Sequence, residues 1–466
     1  MPIKTRTVQW RVSMRLVATG TILSLLGGCV LSPKGTQEEK QRLERTGKAF
    51  ETPIEKRQLP ELSQPTDWPQ VLQRSFLANG ELEAAYFDWK AAYARIEQAA
   101  AWPNSNVSIG FEYMFSKEKL KSWDRTTVSA GFDPAGGLAS PIKVAKAGQA
   151  ALEGARTAGE RFRTMKFDLQ RRVLEAYLDL ALMEEKIRIQ RSTVALLRQL
   201  MNSAANRVET GGAQSDLIKA RTDAQLAEND LASLEAQASA QRATLNGMMA
   251  RNPQAPLVLA PTLPPPRPIA VDDAALIAAG VDRNPELAGL ARQVAGRKDA
   301  AELARLAYLP DISPSAAFTG NVSQAVGAML TVPTNLPGIR GAINEAKAML
   351  RSTEAIARQT RNDRAASFVA TLYAMRDSER QAALFHQTIV PSARQLLTSS
   401  QQAYSSGSVN FIDLVDSQRT LLQAQLLVAQ AQIDREKRLA ELEALAGVDV
   451  ETLARPTPAT TTAPAP

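Results

Sequence analysis

Asp413 and Asp416 stand three residues apart, just after a turn built on Gly407 and flanked by Ser405, Ser406 and Ser408. Residues at that spacing share one face of a helix. Asn410 is a natural N-cap for a helix starting near Phe411. Two carboxylates in a first turn also complement the positive end of the helix dipole. On local grounds they are solvated groups that favour a helix start. The chemistry they offer if several copies converge is electrostatic, since carboxylates in a narrow throat attract cations and repel anions. The chain makes nearly the same turn twice. In the earlier copy Gly211 and Gly212 form the turn, Gln214 and Ser215 offer a polar cap, and Asp216 opens an Ala/Leu-rich stretch. Two such turns roughly two hundred residues apart point to a duplicated chain.

Other chemistry is thinly supplied. The chain has one histidine, His386, and one cysteine, Cys29. That removes most His-based catalysis. No nucleophile elbow, Walker loop, zinc motif or coherent carboxylate pair stands outside the turns. The sequence therefore predicts no enzyme, no cofactor and no resident metal site, with His386 and the scattered Met residues read as structural. The formal charge is +7, but Lys4, Arg6, Arg11 and Arg15 lie in a leader expected to be removed, which leaves +3 (7 minus 4). No Lys/Arg cluster interleaves with aromatics, so nucleic acid is not an expected partner.

Residues 1–28 have a basic start and then an apolar run, Leu16 to Leu26, too short for a stable membrane span. The run ends Leu26-Gly27-Gly28-Cys29, which resembles the bacterial lipobox, in which cleavage before the cysteine leaves it to carry lipid. The next residue is Val30, not the Asp that tends to hold lipoproteins at the inner membrane. The resemblance thus implies attachment to the outer membrane through Cys29. With no second cysteine, no intrachain disulfide exists.

The elements that would position the turns are long helices. From Pro141 to Arg207 apolar residues recur at spacings of four and three, among them Leu169, Val173, Leu180, Ile187, Val194 and Leu197, with Gln190 the polar exception. A sustained 3.5-residue period is a coiled-coil seam. At ~1.5 Å per residue such a helix reaches on the order of 100 Å. After Gly211-Gly212 the returning stretch keeps the spacing through Leu217, Ala220, Ala224 and Ala227. Upstream, Trp68 to Ala101 reads as one helix. Then the period becomes two, over Val107–Phe115 and Thr127–Asp133, which means strands with unlike faces. Such strands fit a membrane β-barrel wall, and equally a soluble hairpin with one buried face.

The pattern restarts after a Pro-rich linker, residues 252–270, expected to be extended. Asn284-Pro285-Glu286-Leu287 echoes Asn79-Gly80-Glu81-Leu82, and weaker strand candidates follow at 313–321 and 325–332. A second long helix carries Pro391, which should kink it. The last helix, from Phe411, has apolar residues on two faces, as in a ring of helices. The expected order is a lipoprotein signal (1–28), an extended leader (29–65), a first repeat (66–251), the linker (252–270), a second repeat (271–449) and a disordered tail (450–466). Each repeat reads helix, strand, strand, long helix, Gly turn, long helix. Four strands cannot close a membrane barrel, so three chains with twelve strands are the expected remedy.

These residues resemble the TolC-type outer-membrane efflux proteins. The likeness rests on the signal and lipobox, the twofold repeat and Pro391 before the turn. It rests also on the Tyr404–Gly407 turn and on Asp413-Leu414-Val415-Asp416-Ser417 followed by Arg419-Thr420-Leu421-Leu422. It covers most of the chain after residue 65. It implies a mainly α fold with a transmembrane β-barrel part, a homotrimer with an α-helical periplasmic tunnel, and an outer-membrane location. The implied partners are a periplasmic adaptor (membrane fusion) protein and an RND-type inner-membrane transporter. By the same resemblance Asp413 and Asp416 match carboxylates that gate the periplasmic entrance, Asp216 matches the first-repeat acidic position, and Gly211, Gly212, Tyr404 and Gly407 match the tip turns that an adaptor would touch.

The stretch Leu245–Pro253 leading to Pro256-Leu257 is similar to the heavy-metal (CzcC/CusC-like) branch, a pattern that drug and solvent exporters share, so metal cations and drugs both stand as cargo. The other reading from a different class is a periplasmic coiled-coil adaptor or scaffold lipoprotein without a pore. Adaptors pair one hairpin with small β domains, whereas this chain has two hairpins and two pairs of amphipathic strands.

Overall fold

The period-two stretches fold as strands and the heptad stretches as helices in a computed structural model, which describes residues 31–101, 106–115, 121–133, 140–209, 211, 213–269, 271–319, 323–406 and 408–449. The elements are α1 (Thr36–Gly47), α2 (Trp68–Ala78), α3 (Gly80–Ala100), β1 (Asn106–Tyr113), β2 (Thr126–Asp133), α4 (Pro141–Glu209), α5 (Gln214–Met248), α6 (Asp273–Asp282), α7 (Pro285–Leu306), β3 (Asp311–Thr319), β4 (Ser323–Thr331), α8 (Leu336–Leu384), α9 (Val390–Ser405) and α10 (Phe411–Ala446). Each half therefore runs helix, strand, strand, long helix, turn, long helix. The signal, Cys29, Gly212, Gly407 and the tail 450–466 lie outside the described residues.

Several expectations change. The segment 29–65, expected to be extended, contains α1, with Glu38 and Glu39 in its first turn and Arg45 in its last. Those charges suit the helix dipole, and a Pro-punctuated, polar surrounding hid the signal. Trp68 to Ala101 is two helices. Asn79 ends α2 and its side-chain Oδ1 accepts from Leu82 N at 3.1 Å, capping α3. Asn284 does the same for α7, accepting from Leu287 N at 2.9 Å. The echo between Asn79 and Asn284 is thus a repeated cap. Around Pro391, a single wide π turn, Phe385–Ile389, separates α8 from α9. Proline lacks an N–H and crowds the carbonyl four residues back; the extra residue of a π turn relieves both.

The chain divides into two units. The first contains residues up to Gly47, Phe87–Glu160 and Ala288–Arg358. Its sheet is antiparallel in the order β1-β2-β3-β4. Tyr113 pairs with Thr126, Thr127 with Thr319, and Thr319 with Ser323. Strands of the two repeats therefore meet at the centre, and one edge each of β1 and β4 carries no strand among the described residues. The sheet exposes large apolar side chains: Phe111 is 74% exposed and Val326 88%, with Ile312, Met329 and Leu330 also exposed. In the same unit, Trp89 of α3 is buried and donates from Nε1 to Glu39 of α1 at 2.9 Å. Arg42 of α1 lies over the same indole and reaches Glu160 at 2.6 Å. A Cβ on Gly159 would stand 2.9 Å from that indole, so α4 can approach Trp89 only because the residue is glycine.

The second unit contains Lys48–Tyr86, Arg161–Leu287 and the chain from Gln359. The heptad seam of α4 is buried through Leu169, Val173, Leu180, Ile187 and Val194. The polar exception Gln190 is buried too, and donates from Nε2 to Ala227 O of α5 at 3.0 Å. Further along, Phe368, Leu372 and Met375 of α8 pack with Leu276 of α6 and Leu439 and Leu442 of α10. The Pro-rich linker is tied to α10: Arg267 bonds Glu436 and Glu443 while its guanidinium covers Trp68. Burial opposes the charge on Arg267, but Glu443 and Glu436 outweigh it and raise its pKa above the usual arginine value. No helix among the described residues is long and apolar enough to cross a membrane.

Candidate functional site

At the far ends of the two hairpins four helices converge. Val194, Leu197 and Ala204 of α4 pack with Ala220, Ala224 and Ala227 of α5, with Leu397 and Tyr404 of α9, and with Phe411, Leu414 and Val415 of α10. The small alanines let backbones come close, which is why the heptad seam continues into a four-helix tip.

The turn between α9 and α10 is closed by main-chain bonds from Ser406 N to Gln402 O (3.1 Å) and Ser408 N to Ala403 O (2.8 Å), with Ser406 and Ser408 hydroxyls bonded at 2.8 Å. Asn410 caps α10 as its chemistry predicts, accepting from Asp413 N at 2.9 Å. Asp413 and Asp416 are both exposed. Asp413 O accepts the Ser417 hydroxyl, which in turn meets Ser400 of α9 at 2.7 Å.

The first turn is built differently. Gly211 has φ +97°, a conformation that favours glycine. Its neighbour α5 has Ala213 at the N-cap position with no side-chain cap, so Gln214 and Ser215 do not cap the helix as expected from their types. Asp216 is half-buried, with its N–H bonded to Ala213 O at 3.2 Å.

Tyr404, expected at a tip turn, is buried against Phe411 with ring centroids 5.9 Å apart. The Arg207 guanidinium of α4 stands 4.4 Å from the Tyr404 centroid, a cation–π contact that joins the two hairpins. A second junction centres on Arg419 of α10. Its Nη2 lies 3.3 Å from Oδ1 of Asp223 on α5, and its Nη1 lies 3.9 Å from Asp416 one turn back. Asp416 thus belongs to an acid–base–acid chain, Asp416–Arg419–Asp223, whereas Asp413 makes no ion pair among the described residues. Sequence reasoning gave no role to Arg207, Asp223 or Arg419. The signal for Arg419 was its i+3 spacing from Asp416; nothing local marked Asp223 as its partner.

His386 lies on the π turn and lines a cleft of about 420 Å³ with Pro266, Glu379, Gln432 and Arg435. Among the described residues no group of three or more His, Cys, Asp or Glu side chains is placed to hold a metal ion.

Residues 276–448 match the outer membrane efflux protein family. No curated protein matches the chain by sequence. Among solved structures, the chain is similar to a membrane protein from Pseudomonas aeruginosa, with TM-score 0.70 at 17% identity over 82% of this chain and 90% of that one. It is similar to CusC, described in a study of transmembrane channel formation, with TM-score 0.66 at 15% identity over 82% and 92%. It is also similar to the outer membrane protein VceC from Vibrio cholerae, with TM-score 0.67 at 15% identity over 82% and 96%. The chain thus has the fold of these membrane-protein structures, and its residues 276–448 match the outer membrane efflux protein family.

Proposed function

We propose that this chain is the outer-membrane exit duct of a tripartite efflux system and that it works as a homotrimer. The observation that carries the reading is the sheet. Among the described residues it has two edges without a partner strand and, on one face, an exposed apolar set that includes Phe111, Ile312, Val326 and Leu330. Unpaired edges cannot stand in a bilayer. Three copies joined edge to edge would give twelve strands and no free edge, with the apolar side chains facing lipid. The main-chain bond from Leu31 N to Ala100 O, 3.0 Å, supports a lipid anchor at Cys29. It holds the chain just after that residue against the end of α3, a few residues before β1.

At the four-helix tip, threefold symmetry would bring copies of Asp413 and Asp416 toward one axis as a gate, with Asp216 contributing from the first repeat. A carboxylate ring in a narrow throat favours cations, and protonation weakens it. Arg419 holds the gate helix α10 to α5 through Asp223 within each protomer. The turns at Gly211, Gly212, Tyr404 and Gly407 would receive a periplasmic adaptor. An RND-type inner-membrane transporter would supply the energy and choose the cargo, metal cations or drugs.

Single-channel conductance of the purified protein in a planar bilayer tests this reading. The expected result is a small cation-selective current that grows in Asp413→Ala/Asp416→Ala. Pores indifferent to the double substitution would keep the duct and remove the gate. A soluble monomer without current would favour a scaffold lipoprotein.

A further inference from the structure

Asp311 opens β3 and pairs with Thr331 at the end of β4, so the two strands meet one rim of the sheet there. Residues 305–310 and 332–340 join this rim to α7 and α8; each segment has an arginine at its helix end and no carboxylate. Arg305 and Arg340 are exposed, and neither makes an ion pair among the described residues. The carboxylates beside Arg305 are already committed, Glu302 to Lys146 at 2.6 Å and Asp311 to Lys143 at 2.8 Å. Glu345, five residues after Arg340, lies about 140° round α8 from it. Between the arginines and the strands, Tyr308, Leu309, Val332 and Leu336 are exposed apolar side chains.

The first repeat has a counterpart of Arg305. Asn79 and Asn284 are 205 residues apart (284 minus 79), and the same interval carries Ala100 to Arg305 (305 minus 100). Ala100 O accepts Leu31 N at 3.0 Å, two residues after Cys29. Ala100 is buried, whereas Arg305 is exposed. The chain that follows the expected lipid anchor thus fills this place in the first repeat. In the second repeat the same place is open and carries a cation.

We propose that Arg305 and Arg340 bind the phosphate of an anionic phospholipid, a second, non-covalent lipid on each chain beside the one expected at Cys29. The guanidinium fork matches phosphate oxygens. Cations beside an anionic leaflet draw its headgroups. Arginine stems lie along apolar surface while their heads reach the polar layer, and tyrosine rings favour the same depth. The acyl chains would run over Tyr308, Leu309, Val332 and Leu336 toward the apolar face of the sheet. That this rim meets a leaflet rests on the outer-membrane reading above; the two unpaired arginines beside exposed apolar side chains do not.

The test is native mass spectrometry of the intact protein in detergent, offered equal amounts of phosphatidylglycerol and phosphatidylcholine. At roughly fivefold per arginine, the wild type should retain phosphatidylglycerol at least about tenfold better. Arg305→Gln/Arg340→Gln should bring the ratio near one, and Arg305→Lys/Arg340→Lys should keep most of the preference. Arg351→Gln/Arg358→Gln, exposed cations about 16 and 27 Å further along α8, should leave it unchanged. No preference in the wild type, as when a second copy covers the two arginines, would overturn the proposal. Equal loss in the deeper pair, or complete loss in the Lys pair, would overturn it too. Displacement of the lipid by excess inorganic phosphate would mean a site for the free ion and also overturn it. Pores in a planar bilayer without lipid preference would keep the duct and discard the lipid site. Retained phosphatidylglycerol in a protein that makes no pore would keep the lipid site and discard the duct.

Discussion

Arg267 and Glu443 meet at 2.9 Å, and Glu443 is 1% exposed. A residue of the proline-rich linker therefore neutralises a carboxylate in the wall of the last helix. The same guanidinium bonds Glu436, so the linker is stitched to α10 at two points about two turns apart on one face. Removing the cation takes from the buried Glu436 and Glu443 the partner they share, and breaking a buried ion pair typically costs about 3–5 kcal/mol. Arg267→Ala is expected to lower the unfolding free energy by about 3 kcal/mol, read from denaturant melts. Arg267→Lys should recover only part of this, because a point charge cannot serve both carboxylates in the forked geometry.

Arg419 is the exposed member of the Asp416–Arg419–Asp223 chain. Exposed pairs contribute about 0–1 kcal/mol, so Arg419→Ala should hardly move the Tm. Its expected effect is on current, with larger or more frequent openings. Asp223→Asn should act alike, and both differences should shrink in high salt as charges are screened. Wild-type currents unaltered by either substitution would remove Arg419 as a tether.

Asn410 caps α10 through the Asp413 amide. Asn410→Ala should cost about 1 kcal/mol and speed exchange in the first turn of α10, whereas Asn410→Asp should be close to neutral. The same substitution at Asn284 should cost more, since its side chain also donates to Leu445 O at 2.7 Å and is buried.

The α1 clip depends on Glu39 receiving the Trp89 indole N–H. Trp89→Phe keeps an aromatic ring but leaves a buried carboxylate oxygen without its donor, a cost of about 1–3 kcal/mol. Limited proteolysis should then cut within residues 34–60 sooner than in the wild type, with the hairpins still protected.

The long helices were legible because their signal is repeated many times. One heptad residue in error changes nothing when Leu169, Val173, Leu180 and Ile187 all agree. The strands were legible in place but shifted by one or two residues, as when β3 begins at Asp311 rather than 313. Alternation fixes the faces of a strand, not where its pairing stops. The α1 helix was missed because its stability comes from Trp89 and Glu160, both distant in sequence, more than from its own residues. At the tip, Asn410 and the Asp pair could be read locally. The Arg207–Tyr404 and Arg419–Asp223 contacts could not, since each joins residues about two hundred positions apart and carries no periodic mark.

The pairing of Thr127 with Thr319 joins two strands 192 residues apart in the chain. While the polypeptide is being made, β1 and β2 emerge long before the strand that completes them. They must travel with an open, greasy edge, and such edges invite wrong partners. Late, non-local pairing is also slow to form. The sheet of this protein is thus incomplete until the second repeat is made. Its biogenesis is expected to depend on a holding chaperone that shields the first two strands until the second repeat arrives.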